Sequence, residues 1–235
     1  MPPWNIEQTR TLMADRHGSE QPELANNCLR SVTERMRHAR YHFQEARRLL
    51  KEAIDDRLPI ESIYLVTWPT QAEERSAFNS CLMMVEANAI ACAQAIHSIA
   101  DNLAHVVYFA MGMNLGARAL RERDVTILRV IAELEANQPR YADVAKTLKT
   151  FLAEPSFIAV EAFVNVAKHR GYSETRLNID PPGRASPYIL EFGAFAYRDV
   201  AHPEREIEEV LAPAYAATSR AVVETGDAIN LVLLR

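Results

Sequence analysis

The stretch 76–118 reads SAFNSCLMMVEANAIACAQAIHSIADNLAHVVYFAMGMNLGAR, and between its ends only Glu86 and Asp101 carry a formal charge. A helix with one face in water shows a charged stripe. This stretch has none, so the pattern predicts a helix covered by protein nearly all round. Its apolar residues recur at heptad spacing (Leu82, Val85, Ala89, Cys92, Ile96, Ile99, Leu103, Val106 and Ala110), and Thr70-Gln-Ala-Glu73 ahead of them reads as a capping box. A membrane span is the competing reading. It fails because Asn79, Asn88, Gln94, His97, Asn102 and His105 break the charge-free runs short of the roughly 20 apolar residues that a span needs. The expectation is a central helix with no membrane partner, capped by a left-handed Gly112 or Gly116.

Upstream, Val32, Met36, Ala39, Phe43, Ala46, Leu50 and Ala53 keep an a/d pattern that asks for one narrow seam against a neighbour. The other faces of that first long helix are basic, with Arg30, Arg35, Arg37, Arg40, Arg47, Arg48 and Lys51 against Glu34, Glu45 and Glu52. They are either a solvated surface or an approach to phosphates. Residues 1–20 are polar and aperiodic and read as a flexible arm. The apolar segment 60–68 between Pro59 and Pro69 reads as a connection lying over the core.

Downstream, Ile127, Leu128, Ile131 and Leu134 mark a short helix with Asp124 as its N-cap, and Tyr141, Val144, Leu148, Phe151 and Leu152 mark another. The helix from Phe157 to His169 has Glu161 as its only charge before Lys168, so it too is expected to be covered on most sides, with Gly171 as its cap. From about 175 to 200 the pattern turns to β-branched and aromatic residues around a Pro/Gly-rich turn, a small hairpin. Pro203 then opens the last helix, whose first turns carry Glu204, Glu206, Glu208 and Glu209, with Pro213 as a kink. The fold class is mainly α: an antiparallel helical bundle around a long central helix, with a β-hairpin before the C-terminal helix. One domain is expected over 21–235.

The chain of 235 residues is 49% hydrophobic and 24% charged, the composition of a protein with a sizeable core, and its net charge of −5 argues against broad attraction to nucleic acid or anionic membranes. A local basic patch remains compatible with that balance. Cys81 and Cys92 lie eleven residues apart on one helix, roughly 16 Å along its axis, too far for a disulfide. Reduced thiols, with no signal-peptide pattern at the start, point to the cytoplasm.

Two polar triplets sit on the two least charged helices at i, i+4, i+8: His97, Asp101 and His105, then Glu161, Asn165 and His169. Burying such groups is costly without partners, so they are expected to be hydrogen-bonded, for instance His169 or Asn165 with Asp101. They are either a satisfied network that fixes helix register or an imidazole–carboxylate site for acid–base work. No metal or cofactor is expected. The i, i+4 pairs supply two ligands at most, and the Glu-x-x-His pairs of a di-iron bundle are missing. The signatures of serine hydrolases, phosphate-binding loops, zinc modules and dinucleotide enzymes are also absent.

Asn165-Val-Ala-Lys168-His169-Arg170 gathers an amide, two cations and an imidazole where a buried helix emerges. Together with His97-Ser-Ile-Ala-Asp101 and the hairpin and helix that follow, it resembles bacterial helical proteins of the HEPN type over about 78–229. The resemblance implies a helical bundle, a homodimer, and an RNA- or nucleotide-directed function, with many relatives cleaving RNA through Arg-x(4–6)-His across a dimer cleft. Here Asn165 stands where an arginine is wanted, with three residues between it and His169, while Arg35 and Arg37 fit that spacing to His42 on the first long helix. The resemblance implies His169, Lys168 and Arg170 at phosphate, with Asp101 or His97 orienting the imidazole, and Asn165, His105 and Glu161 completing the site. The alternative is a non-catalytic helical interaction module, or a homodimer whose triplets are structural.

Overall fold

The computed structural model describes residues 3–55, 57–117, 119–136, 139–169, 171 and 174–235. Among them run eight α-helices, α1 Ile6–His17, α2 Gln21–Ala53, α3 Ile60–Thr67, α4 Ala72–Ala110, α5 Ile127–Ala136, α6 Ala142–Leu152, α7 Pro155–His169 and α8 Ile207–Leu234. Five short strands sit between α7 and α8: β1 Thr175–Ile179, β2 Tyr188–Phe192, β3 Phe195–Tyr197, β4 Val200–His202 and β5 Arg205–Glu206. The expected class is present: an antiparallel bundle built on a long central helix, with a small sheet before the last helix. The chain gathers into two compact units. One holds 1–37, 95–158 and 214–235, the other 38–94 and 159–213, with boundaries inside α2, α4, α7 and α8.

In the first unit, the seam of α4 from Ile96 through Ile99, Leu103 and Val106 is fully buried, as are Leu29, Leu134, Leu148 and Ile229. Phe151 and Phe157 close the corner between α6 and α7, with ring centroids 4.2 Å apart. The expected flexible arm is instead a packed helix. Asn5 caps α1 by accepting from the Gln8 backbone N–H, and Trp4, Thr9 and Met13 are buried. Trp4 Nε1 donates to Thr9 Oγ1 at 2.8 Å, and Thr9 Oγ1 donates to Asn230 Oδ1 on α8 at 2.6 Å. Two buried apolar residues and one satisfied threonine are too few to print a helical period on so polar a segment. Gly112 follows α4 in the left-handed region (φ 67), as expected of a cap, and Gly116 does not (φ −84). At Gly112 a Cβ would also stand 2.7 Å from the His17 ring. The cap of α5 is Thr126, whose Oγ1 accepts from the Arg129 N–H at 3.4 Å, rather than Asp124, which pairs with Arg121.

In the second unit, His42 on α2 meets Asn88 on α4, and Cys81 reaches the Leu49 carbonyl, so the two helices run antiparallel. Ile54, Ile63 and Tyr188 form a buried cluster, and the Tyr188 hydroxyl donates to the Ile54 carbonyl at 2.9 Å. The segment expected as a connection over the core is α3, and only Ile63 and Thr67 of it are buried. The covering of α4 is also uneven. Val85 onward is largely buried, whereas no residue from 72 to 84 is, and Met83 and Met84 are 63% and 46% exposed. Absence of charge there is a row of Ser, Asn and Met facing solvent, not a buried face. Among the described residues Thr70 makes no capping-box bond; the Arg75 guanidinium instead donates back to the Pro69 and Thr70 carbonyls.

The expected hairpin is β1 against β2, antiparallel from Thr175 opposite Phe192 to Ile179 opposite Tyr188. The apolar run 187–197 is not one strand. It breaks after β2, where the Gly193 N–H donates to the Glu174 carbonyl at 2.8 Å and a Cβ would crowd that oxygen at 3.1 Å. A second hairpin follows, β3 with β4, turned by Arg198 and Asp199, both with positive φ as a two-residue type I′ turn requires. Arg205 and Glu206, expected in the last helix, extend the sheet along β2 before α8 begins at Ile207.

By length and composition α4 reaches what a membrane span requires, as do α6 and α7 taken together across a 66° bend.

Candidate functional site

The end of α7 is built by the local sequence. Pro155 opens the helix, where its missing N–H is no loss, and Phe157, Val160, Phe163 and Val164 fix its buried face. In the second unit Phe163 packs against Phe192 at 4.1 Å between ring centroids, seating the helix on the sheet. Asn165 is half-buried and its Nδ2 donates to the Glu161 carbonyl one turn back at 2.9 Å. Glu161 is half-buried as well. Lys168 and His169 close the helix, both exposed, and no described carbonyl or carboxylate accepts a bond from either. Arg170 lies outside the described residues. Gly171 has φ 131, a conformation that glycine adopts freely.

His97, Asp101 and His105 belong to the first unit, and Asn165, Lys168, His169 and Glu161 to the second. Their expected burial is corrected. Asp101 is exposed, His97 and His105 are half-buried, and among the described residues the Asp101 carboxylate has no hydrogen-bond or ion-pair partner. The reason is geometric: the i, i+4, i+8 spacing puts the triplet on one face of α4 but does not say which face its neighbours cover. His105 Nδ1 lies 2.9 Å from the Asp101 backbone carbonyl. A carbonyl only accepts, so Nδ1 carries the proton there and Nε2 holds the lone pair of the neutral ring.

A third imidazole is more firmly set. Asn88 Nδ2 donates to the Met84 carbonyl at 2.8 Å, which leaves its Oδ1 to face His42 Nδ1 at 2.8 Å. His42 Nδ1 is therefore the protonated nitrogen and Nε2 the acceptor. Tyr41, 59% exposed, meets the ring edge-on at 5.1 Å, and Arg40 beside it is exposed with no carboxylate partner among the described residues. The Arg/His spacing before His42 was visible in the sequence. Asn88, which orients the ring from another helix, was not.

Among the described residues no three His, Cys, Asp or Glu side chains converge as metal ligands would. The second unit has a cleft of about 310 Å³ between α2, the sheet and the start of α8, with Phe43, Leu50 and Ile207 inside and Arg47 facing Glu208 at its mouth. None of the residues of the two polar triplets lines it, nor does Lys168, whereas Arg47 and Lys51 of the basic face of α2 do. The chain matches no family model, no curated protein and no solved structure.

Proposed function

We propose that the chain is a HEPN-like helical-bundle protein directed at RNA or nucleotides, with the exposed end of α7 as the phosphate-meeting surface. The observation that carries this reading is the exposure of Lys168 and His169 without a described acceptor for either. Capping alone favours cations at a helix C-terminus, because the macrodipole places about half a negative charge there. The single positive charge of Lys168 already exceeds that half charge, so an incoming phosphate meets net attraction rather than repulsion. His169, open to solvent, adds an imidazole that can donate a hydrogen bond to a phosphate oxygen or carry a proton in transfer.

The test is binding of a short single-stranded RNA at low salt, read by fluorescence anisotropy. Lys168→Ala is expected to weaken binding regardless of RNA sequence and to reduce the salt slope by about one. His169→Ala weakens it as well while leaving thermal stability nearly unchanged. If the parent chain cleaves the RNA, His169→Ala abolishes the cleavage.

The second reading is a non-catalytic helical interaction module, a homodimer. It is favoured by the apolar exposure of α3, where Leu65 and Trp68 are each 71% exposed. Failure to bind RNA, together with a stable dimer in solution, would select it.

A further inference from the structure

Six of the fourteen large apolar side chains that face solvent among the described residues fall within 64–84: Tyr64, Leu65, Val66, Trp68, Met83 and Met84, between 37% and 71% exposed. Four of them, Tyr64, Leu65, Val66 and Trp68, lie together on α3 and its C-cap, and at these exposures they amount to a few hundred Å², a substantial share of the roughly 800 Å² that each partner gives to a standard interface. Scattered exposed apolar residues need no explanation, but a concentration of this size marks a contact surface.

Its shape has both a protrusion and a recess. Tyr64 and Trp68 stack with rings 3° from parallel and centroids 6.1 Å apart. Beside them a groove of about 530 Å³ runs between α3 and the first turns of α4, lined by Leu65, Val66, Pro69, Ala77 and Phe78, with Glu74 as its acid. A patch that carries its own knob next to its own hole suits an isologous contact, in which the same surface serves both partners.

The charges around it fit the same occupant. Glu61, Glu73 and Glu74 are exposed and have no cation partner among the described residues. Arg75, also exposed, donates only to the Pro69 and Thr70 carbonyls and has no described carboxylate. About a two-fold axis, Arg75 of each copy would meet Glu74 at the groove of the other, and the pairing is made twice. An anionic lipid surface would instead be repelled by the three acids.

We propose that α3 and the first turns of α4 form a self-association face, on which a second copy of this chain docks with Leu65 and Trp68 entering its groove. This deepens the homodimer expectation and is independent of the RNA reading.

The experiment is sedimentation velocity of the full chain up to about 100 µM, well into the range of a micromolar dimer. The parent is expected to show twice the chain mass. Leu65→Asp with Trp68→Asp should raise the dissociation constant at least about tenfold with an unchanged circular dichroism spectrum, since both residues are exposed in the single chain. Arg75→Glu and Glu74→Arg should each be monomeric alone and should form a mixed dimer when combined. A parent that stays monomeric overturns the proposal. So does a dimer that ignores all of these variants, which would place the contact on another face, and so does a monomer that cosediments with phosphatidylserine vesicles.

Discussion

At Gly226, in the third turn from the end of α8, any Cβ would fall inside the Trp4 indole, so the glycine is there to admit the ring. Gly226→Ala must displace Trp4 and disturb its bond to Thr9, and should cost about 1–3 kcal/mol, the range for overfilling a packed site. Thermal unfolding measures the cost, and a red-shifted Trp4 emission identifies its cause. Cys92 makes a different kind of prediction. Burial pushes its thiol from an ordinary 9.0 up to about 12. The folded chain therefore holds that proton after the unfolded chain has released it, and the stability linked to it is complete below pH 9 and is lost as pH rises toward 12. Between pH 8 and 10.5 the denaturant midpoint of the parent should fall further than that of Cys92→Ala. The seam residues Cys92, Ile99 and Leu103 were legible as buried because apolar identity and heptad spacing agree. Asp101, on the same helix, was misjudged because lack of charge nearby was taken for cover.

The two halves of α4 make the same point as an element. Leu103 is fully buried and Met83 is 63% exposed, although both sit in equally uncharged sequence. Leu103→Ala should cost about 2–5 kcal/mol, as emptying a packed leucine site does. Met83→Ala should change stability by less than about 0.5 kcal/mol. Equal losses would mean that the first half of α4 is as covered as the second. The positions of α2, α4, α5, α6, α7 and α8 were readable from their apolar period, and the β1–β2 hairpin from its composition. What escaped was decided by distant partners. The polar α1 is held by Asn230, 221 residues from Thr9, and α3 is a helix that turns Ile63 inward and leaves Tyr64, Leu65 and Val66 in solvent. The break at Gly193 rests on the Glu174 carbonyl lying underneath it.

For the whole molecule, a net charge of −5 predicts that any RNA binding is local, through the end of α7, and not a general attraction. That distinguishes a site from a basic coat, and the most direct test is the salt dependence of binding by the unmodified chain. With short single-stranded RNA, the logarithm of the affinity should fall linearly with the logarithm of salt between about 50 and 200 mM, with the shallow slope of a few phosphate contacts. Absence of binding to RNA and to nucleotides at the lowest salt, where attraction is least screened, would contradict the account.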